Sequence, residues 1–155
     1  KLSDFLRYQL YDNNQPSVLL LSEIQFLNDF MELEKIRRDD FNFRIAIENE
    51  DSNSNMISQL VLPPNLFTTF IENAIKHSAD LDHPSKIDIS FTIYKKELVF
   101  ICSNTKPAEP IDDQQKGGLG LANIKRRLDL LYAKDYKLDI DDLDEKYTVT
   151  VTLPI

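Results

Sequence analysis

The sequence predicts an α/β two-layer sandwich, with helices on one face of a mixed, mostly antiparallel sheet. Strand-like segments come in adjacent pairs, near 86–93 with 98–102 and near 136–141 with 147–153. Such pairs suit antiparallel neighbours joined by short turns. Helical patterns separate the pairs, bounded by proline, glycine and Asn/Asp turn chemistry. With 155 residues, 42% of them apolar, the chain can bury one real core.

Lys1 to Tyr11 reads as the tail of a helix, with Leu2, Phe5, Leu6 and Leu10 at helical spacing. Asp12 to Pro16 is a loop by its turn residues. Ser22-Glu23-Ile24-Gln25 fits a capping box, so a second helix is expected from there to about Arg38. Its apolar residues Ile24, Phe26, Leu27, Phe30, Met31 and Leu33 cover more than one stripe and call for more than one packing partner. That favours a place in a helix bundle over packing on its own domain alone. Phe41 to Glu48 alternates as a strand, and Pro63-Pro64 is expected to open a helix reaching His77. Lys86 to Ile93 points Ile87, Ile89, Phe91 and Ile93 inward, and the unbroken apolar run Leu98 to Cys102 suits a central strand. After a polar loop over 105–116, Gly117-Gly118-Leu119-Gly120 leads into a helix ending near Tyr132, with Leu121, Ile124, Leu128 and Leu131 as its core stripe.

The net charge of -8 argues against a nucleic-acid partner held by charge. The lone cysteine, Cys102, cannot form an internal disulfide and reads as a small buried hydrophobe in a reducing compartment. No apolar stretch is long enough to span a membrane, and there is no signal peptide. The chain opens inside a helical pattern without Met, so it reads as a fragment of a longer protein.

Two stretches carry chemistry. On a helix, the segment from Pro63 to Ser78 splits into an apolar face (Phe67, Phe70, Ile71, Ala74, Ile75) and a polar one (Thr69, Glu72, Asn73, Lys76, His77). Mg²⁺ prefers oxygen ligands and keeps several waters, so one amide oxygen from Asn73 plus nucleotide phosphates makes a reasonable site. Lys76 and His77 stand where they can meet phosphate charge, and Glu72 where it can orient or activate a hydroxyl or water. The competing reading is an amphipathic helix with a solvated polar face. The second stretch, Gly117 to Tyr132, holds the only three glycines of the chain at one loop-to-helix junction. Backbone N–H groups and the helix dipole favour an anion there, and Lys125, Arg126 and Arg127 add positive charge. No Lys-Ser/Thr follows the glycines, so this is no P-loop. A flexible hinge is the alternative.

Together the stretches resemble the N box and the glycine box of the GHKL ATPases, the superfamily that includes histidine kinases and gyrase B. The likeness is closer to the LytS-like sensor kinases. Pro63-Pro64 followed by Glu72-Asn73-Ala74 and Lys76-His77 resembles their N box. Gly118, Gly120-Leu121, Asn123 and Arg127-Leu128 resemble their glycine box, and Leu2 to Tyr8 with Glu23 to Arg37 resembles the segment before it. The resemblance implies a Bergerat fold with ATP held between the N-box helix and the glycine-rich loop. Asn73 would coordinate Mg²⁺, and Glu72 would assist phosphoryl transfer. Lys76 and His77 would contact phosphate or ribose. Gly118, Leu119, Gly120 and Leu121 would line the phosphate approach, Arg127 would reach the nucleotide, and the loop from Lys106 to Lys116 would form a short lid.

The family's usual Asp-x-Gly-x-Gly box is absent. Asn104 falls closest to its aspartate, as a neutral acceptor for the adenine amino group. Neither His77 nor His83 has the setting of a phospho-accepting histidine. The resemblance therefore implies residues 1–38 as the end of a dimerisation region without its histidine box, and residues 39–155 as the ATP-binding domain. The whole protein would be a homodimeric inner-membrane sensor with its kinase domain in the cytoplasm, phosphorylating an upstream histidine and serving a cognate response regulator. The alternatives are a GHKL ATPase or anti-sigma-type serine kinase, and a degenerate non-catalytic binding module.

Overall fold

Alternating apolar side chains give the sheet one buried face. The computed structural model describes residues 16–50, 56–78, 83–107 and 118–155. In chain order its elements are β1 (Val18–Leu19), α1 (Leu20–Arg37), β2 (Phe41–Asn49), α2 (Met56–Gln59), β3 (Val61–Leu62), α3 (Thr68–His77), β4 (Ser85–Tyr94), β5 (Glu97–Thr105), α4 (Gly118–Tyr132), β6 (Lys137–Asp142) and β7 (Lys146–Pro154). Five strands form one sheet in the order β2-β4-β5-β7-β6, while β1 and β3 pair as a separate ribbon. β2 and β4 run parallel, and the other neighbours are antiparallel. The parallel pair is allowed because its connection is long and contains α3. The expected mixed sandwich is the fold observed.

β4 follows its alternation closely: Ile87, Ile89, Phe91 and Ile93 are buried, and Lys86 faces solvent. Leu98, Phe100 and Cys102 of the central β5 enter the same core, as do Val149, Val151 and Leu153 of β7. Four phenylalanines form its centre. The Phe100 ring lies 4.6 Å from Phe67, 5.2 Å from Phe91 and 6.0 Å from Phe70, and Phe67 meets Phe91 edge-on at 5.2 Å. Edge and offset contacts suit the ring quadrupoles. β2 lies at the sheet edge, so Phe43 and Ile45 are only half-buried and Ile47 is exposed.

Two helix starts differ from the sequence expectation. α1 begins at Leu20, and its cap residue Leu19 makes no side-chain cap. The Leu20 N–H donates to Leu60 O at 2.9 Å, so the β1–β3 ribbon satisfies this helix end and no capping box forms. Gln25 turns instead to Asp29 Oδ1, at 3.0 Å. α3 begins at Thr68, four residues after Pro64, because Asn65 takes a left-handed backbone (φ 66°) that a helix cannot include. The prolines shape the turn before the helix.

The wide apolar arc of α1 is buried in this core, through Leu20, Ile24, Phe26, Leu27 and Met31. The helix expected over 1–11 lies outside the described residues. In α4, Ile124 and Leu128 are buried and Leu121 packs against the core, but Leu131 is 43% exposed. Tyr132, four residues after Leu128, takes the inward position instead. No described helix is long and apolar enough to cross a membrane.

Burial pushes the Cys102 thiol up to about 12, with Asp88 adding to the effect. The thiol is therefore protonated at neutral pH. Its contribution to stability is complete below the ordinary thiol range and is lost as pH climbs towards about 12. Iodoacetamide at pH 8 is expected to leave the folded chain unlabelled and to label it in denaturant. Fast labelling of the native chain would contradict the burial.

Candidate functional site

The period of α3 sorts its side chains as expected. Phe70, Ile71 and Ala74 are buried, Glu72 and Lys76 are exposed, and Thr69, Asn73 and His77 occupy the margins. Asn73 carries the unusual feature: its Nδ2 is buried with no hydrogen-bond partner among the described residues. Leaving a buried donor unmade costs about 1–3 kcal/mol.

A second such atom stands on the neighbouring sheet. Asn104 is 1% exposed, and its Nδ2 donates to Thr105 O at 2.9 Å. Its Oδ1, a buried acceptor, has no partner among the described residues. Asn104 lies on the core face of β5, in register with Tyr147 of β7. The Tyr147 ring lies 5.8 Å from the His77 ring and is tilted 36° to it, one turn beyond Asn73. Burial raises the Tyr147 phenol, helped by Asp142 and Cys102, and keeps it neutral.

The glycine segment meets α3 at the other end of this face. A Cβ on Gly120 would lie 3.3 Å from Thr69 Cγ2, one turn before Asn73. These contacts follow one another from Gly120 and Thr69, past Asn73, to His77, Tyr147 and Asn104. Gly118 and Leu119 begin α4, whose first backbone N–H groups have no partner within the helix. Leu121 is half-buried just behind them, and Arg127 lies two turns further along, where its charge partly opposes the raised phenol of Tyr132. Lys106, which opens the expected lid, is pinned by Asp142 Oδ1 at 2.5 Å and Leu143 O at 2.8 Å. The lid residues 108–116 and Gly117 lie outside the described residues.

The residues fit a nucleotide chemically, the buried Asn73 Nδ2 being a donor suited to a phosphate oxygen. Among the described residues, no group of three or more His, Cys, Asp or Glu side chains could hold a metal ion. A cation here would take an amide oxygen and complete its shell with phosphate and water. The unpartnered Asn104 Oδ1 suits an exocyclic amine, and the bare Gly120 leaves room beside Thr69. Thr69 and Tyr147 were not singled out as site residues from the sequence. Tyr147 becomes visible only once β5 and β7 are in register.

Gly120→Ala is expected to weaken Mg²⁺–ADP binding by pressing on Thr69 where α4 meets α3. Adding Thr69→Ser, which removes the touching methyl, is expected to restore it. Equal affinities for wild type and Gly120→Ala in calorimetry would refute the steric reading.

Residues 1–43 match the family model described as histidine kinase. The chain is 26% identical over 169 residues to the sensor protein LytS of Streptococcus mutans serotype c, covering 99% of this chain and 28% of LytS. It is 33% identical over 106 residues to the sensor protein kinase HptS of Staphylococcus aureus, covering 67% of this chain and 19% of HptS. It therefore spans less than a third of either relative. Among solved structures, the catalytic domain of the histidine kinase ThkA superposes with a TM-score of 0.61 at 16% identity, over 89% of this chain and 93% of that one. The histidine kinase domain of the blue-light activated kinase of Erythrobacter litoralis EL346 gives 0.63 at 15% identity, over 99% and 78%. ThkA in complex with its response regulator TrrA gives 0.57 at 16% identity, over 99% and 47%. In sequence this chain is similar to the sensor histidine kinases LytS and HptS, and its fold is that of a histidine kinase catalytic domain.

Proposed function

We propose that the chain binds Mg²⁺–ATP in the slot between α3 and α4 and passes the γ-phosphoryl group to a histidine upstream of residue 1. The observation that carries this reading is the pair of buried carboxamide atoms without a partner among the described residues: Asn73 Nδ2, a donor suited to a phosphate oxygen, and Asn104 Oδ1, an acceptor suited to an amine. Amides left unmade in the free protein are suited to a ligand that completes them.

Asn73 would hold Mg²⁺, which supplies charge neutralisation between the phosphates. Lys76 and His77 would hold phosphate or ribose. The N-terminus of α4, with Gly118, Leu119, Gly120 and Leu121, would cradle the phosphates through backbone N–H groups. Asn104 would accept from the adenine amine, and Arg127 would add charge. Glu72 is exposed on the same face and would orient the acceptor imidazole or take its proton. Lys106, anchored to the β6–β7 turn, would fix one end of the lid.

In the whole protein we place residues 1–38 at the end of a dimerising helical region, with α1 also walling the catalytic core. A cytoplasmic position in an inner-membrane sensor and a response-regulator partner complete the reading. The complex of ThkA with TrrA supports the last point by fold likeness. The test is to mix the chain with radiolabelled ATP, Mg²⁺ and a version of the same protein that includes the upstream helix. Label is expected on that helix and not on the chain alone. Label on neither, with no thermal shift in millimolar Mg²⁺–ADP, would favour a degenerate binding module, a reading prompted by the neutral Asn104.

A further inference from the structure

α1 grips α3 at both ends. Glu23, in the first turn of α1, is 0% exposed, and its Oε1 accepts from the Asn65 N–H at 2.6 Å. Asn65 holds its left-handed turn there, and its Oδ1 accepts from the Thr68 hydroxyl, on the first residue of α3. A carboxylate is thus relayed to the start of the helix that carries Asn73.

Arg38, just past α1, holds the other end. Its Nη1 donates to Ile75 O at 3.1 Å, and its Nη2 donates to Ser78 O at 3.3 Å and to Ser85 Oγ at 3.0 Å. The guanidinium lies 4.7 Å over the Phe41 ring, which keeps it in place. The two charges match the α3 dipole, negative at its start and positive at its end. Apolar contacts can slide, whereas a buried carboxylate and a forked guanidinium each fix a distance and a direction. The grips span the whole of α3, with Asn73 near its middle.

We propose that Glu23 and Arg38 are positioning residues: α1 splints α3 at both ends and so sets where Asn73 stands in the slot. This rests on the nucleotide reading given above. Any upstream input that displaces α1 then reaches Asn73 through these two grips.

The test compares nucleotide binding by the intact chain with and without Mg²⁺, using ADP and calorimetry, for wild type, Asn73→Ala, Glu23→Ala, Glu23→Gln and Arg38→Met. Glu23→Ala and Arg38→Met are expected to lose about tenfold of the affinity gained from Mg²⁺, while Mg²⁺-free affinity stays within about twofold. Glu23→Gln keeps an acceptor for the Asn65 N–H and is expected to retain most of the gain. A merely structural role would lower both affinities alike, and that result overturns the proposal. So does wild-type behaviour in Glu23→Ala, or in Arg38→Met should Glu23→Ala not fold. If Asn73→Ala loses the Mg²⁺ gain and the splint variants keep it, the splint alone fails. If wild type shows no Mg²⁺ gain, the nucleotide reading and the splint fail together.

Discussion

Asn73→Ala is expected to remove the Mg²⁺-dependent part of nucleotide binding, a loss of at least about 10- to 100-fold, as when a metal site loses one supporting group. The variant removes both the amide oxygen that would take Mg²⁺ and the buried Nδ2 that has no partner among the described residues. The folded chain should not suffer, because an unsatisfied donor disappears and alanine favours the helix interior. Thermal unfolding without ligand is therefore expected to be unchanged or slightly improved, while the Mg²⁺–ADP thermal shift disappears. An unchanged shift would remove Asn73 from the site. Asn73→Asp is the informative companion, since it keeps an oxygen ligand and adds charge: it should retain Mg²⁺ binding but lose affinity for the nucleotide's own negative charge.

Phe100→Ala is expected to be the most destabilising single change, by about 3–5 kcal/mol, the usual cost of emptying a buried aromatic site. Its ring is fully buried and meets three others, two of them at or beside the start of α3. For a domain whose total stability is about 5–15 kcal/mol, that is a large share. The melting temperature should fall by about 10 °C or more in a chain of this size. Phe100→Leu fills most of the space and should recover much of the loss. Calorimetric melting of both variants checks this, and a shift of only a degree or two for Phe100→Ala would mean that the core recloses around the gap.

The strands and the polar face of α3 were legible because each rests on a local period. Ile87 to Ile93 announce β4 in the sequence alone, and Glu72, Asn73 and Lys76 share a face by spacing alone. The misses have one cause, which is that tertiary partners decide local ends. Ser22 and Gln25 have the letters of a capping box, yet Leu60, thirty-five or more residues away in sequence, supplies the partner for the Leu20 N–H. The two prolines have the letters of a helix start, yet Asn65 turns left-handed under the hold of Glu23. The ribbon of β1 and β3 has two residues per strand and leaves no period to read. Asn104 was legible as a position, but its unpartnered oxygen and its alignment with Tyr147 exist only once β5 and β7 are paired.

One outer strand of the sheet has a bearing on how copies of this protein coexist in a crowded cell. Among the described residues β6 ends the sheet with its far side unpaired, a ready template for intermolecular strand addition and fibril growth. Its sequence answers that hazard: Asp139, Asp141 and Asp142 are all exposed and line a strand of six residues. A second copy approaching edge-on would bring identical carboxylates together, on a protein already carrying a net charge of -8. The acidic rim acts as a gatekeeper, and the solubility of the domain is written into the same strand that completes its sheet.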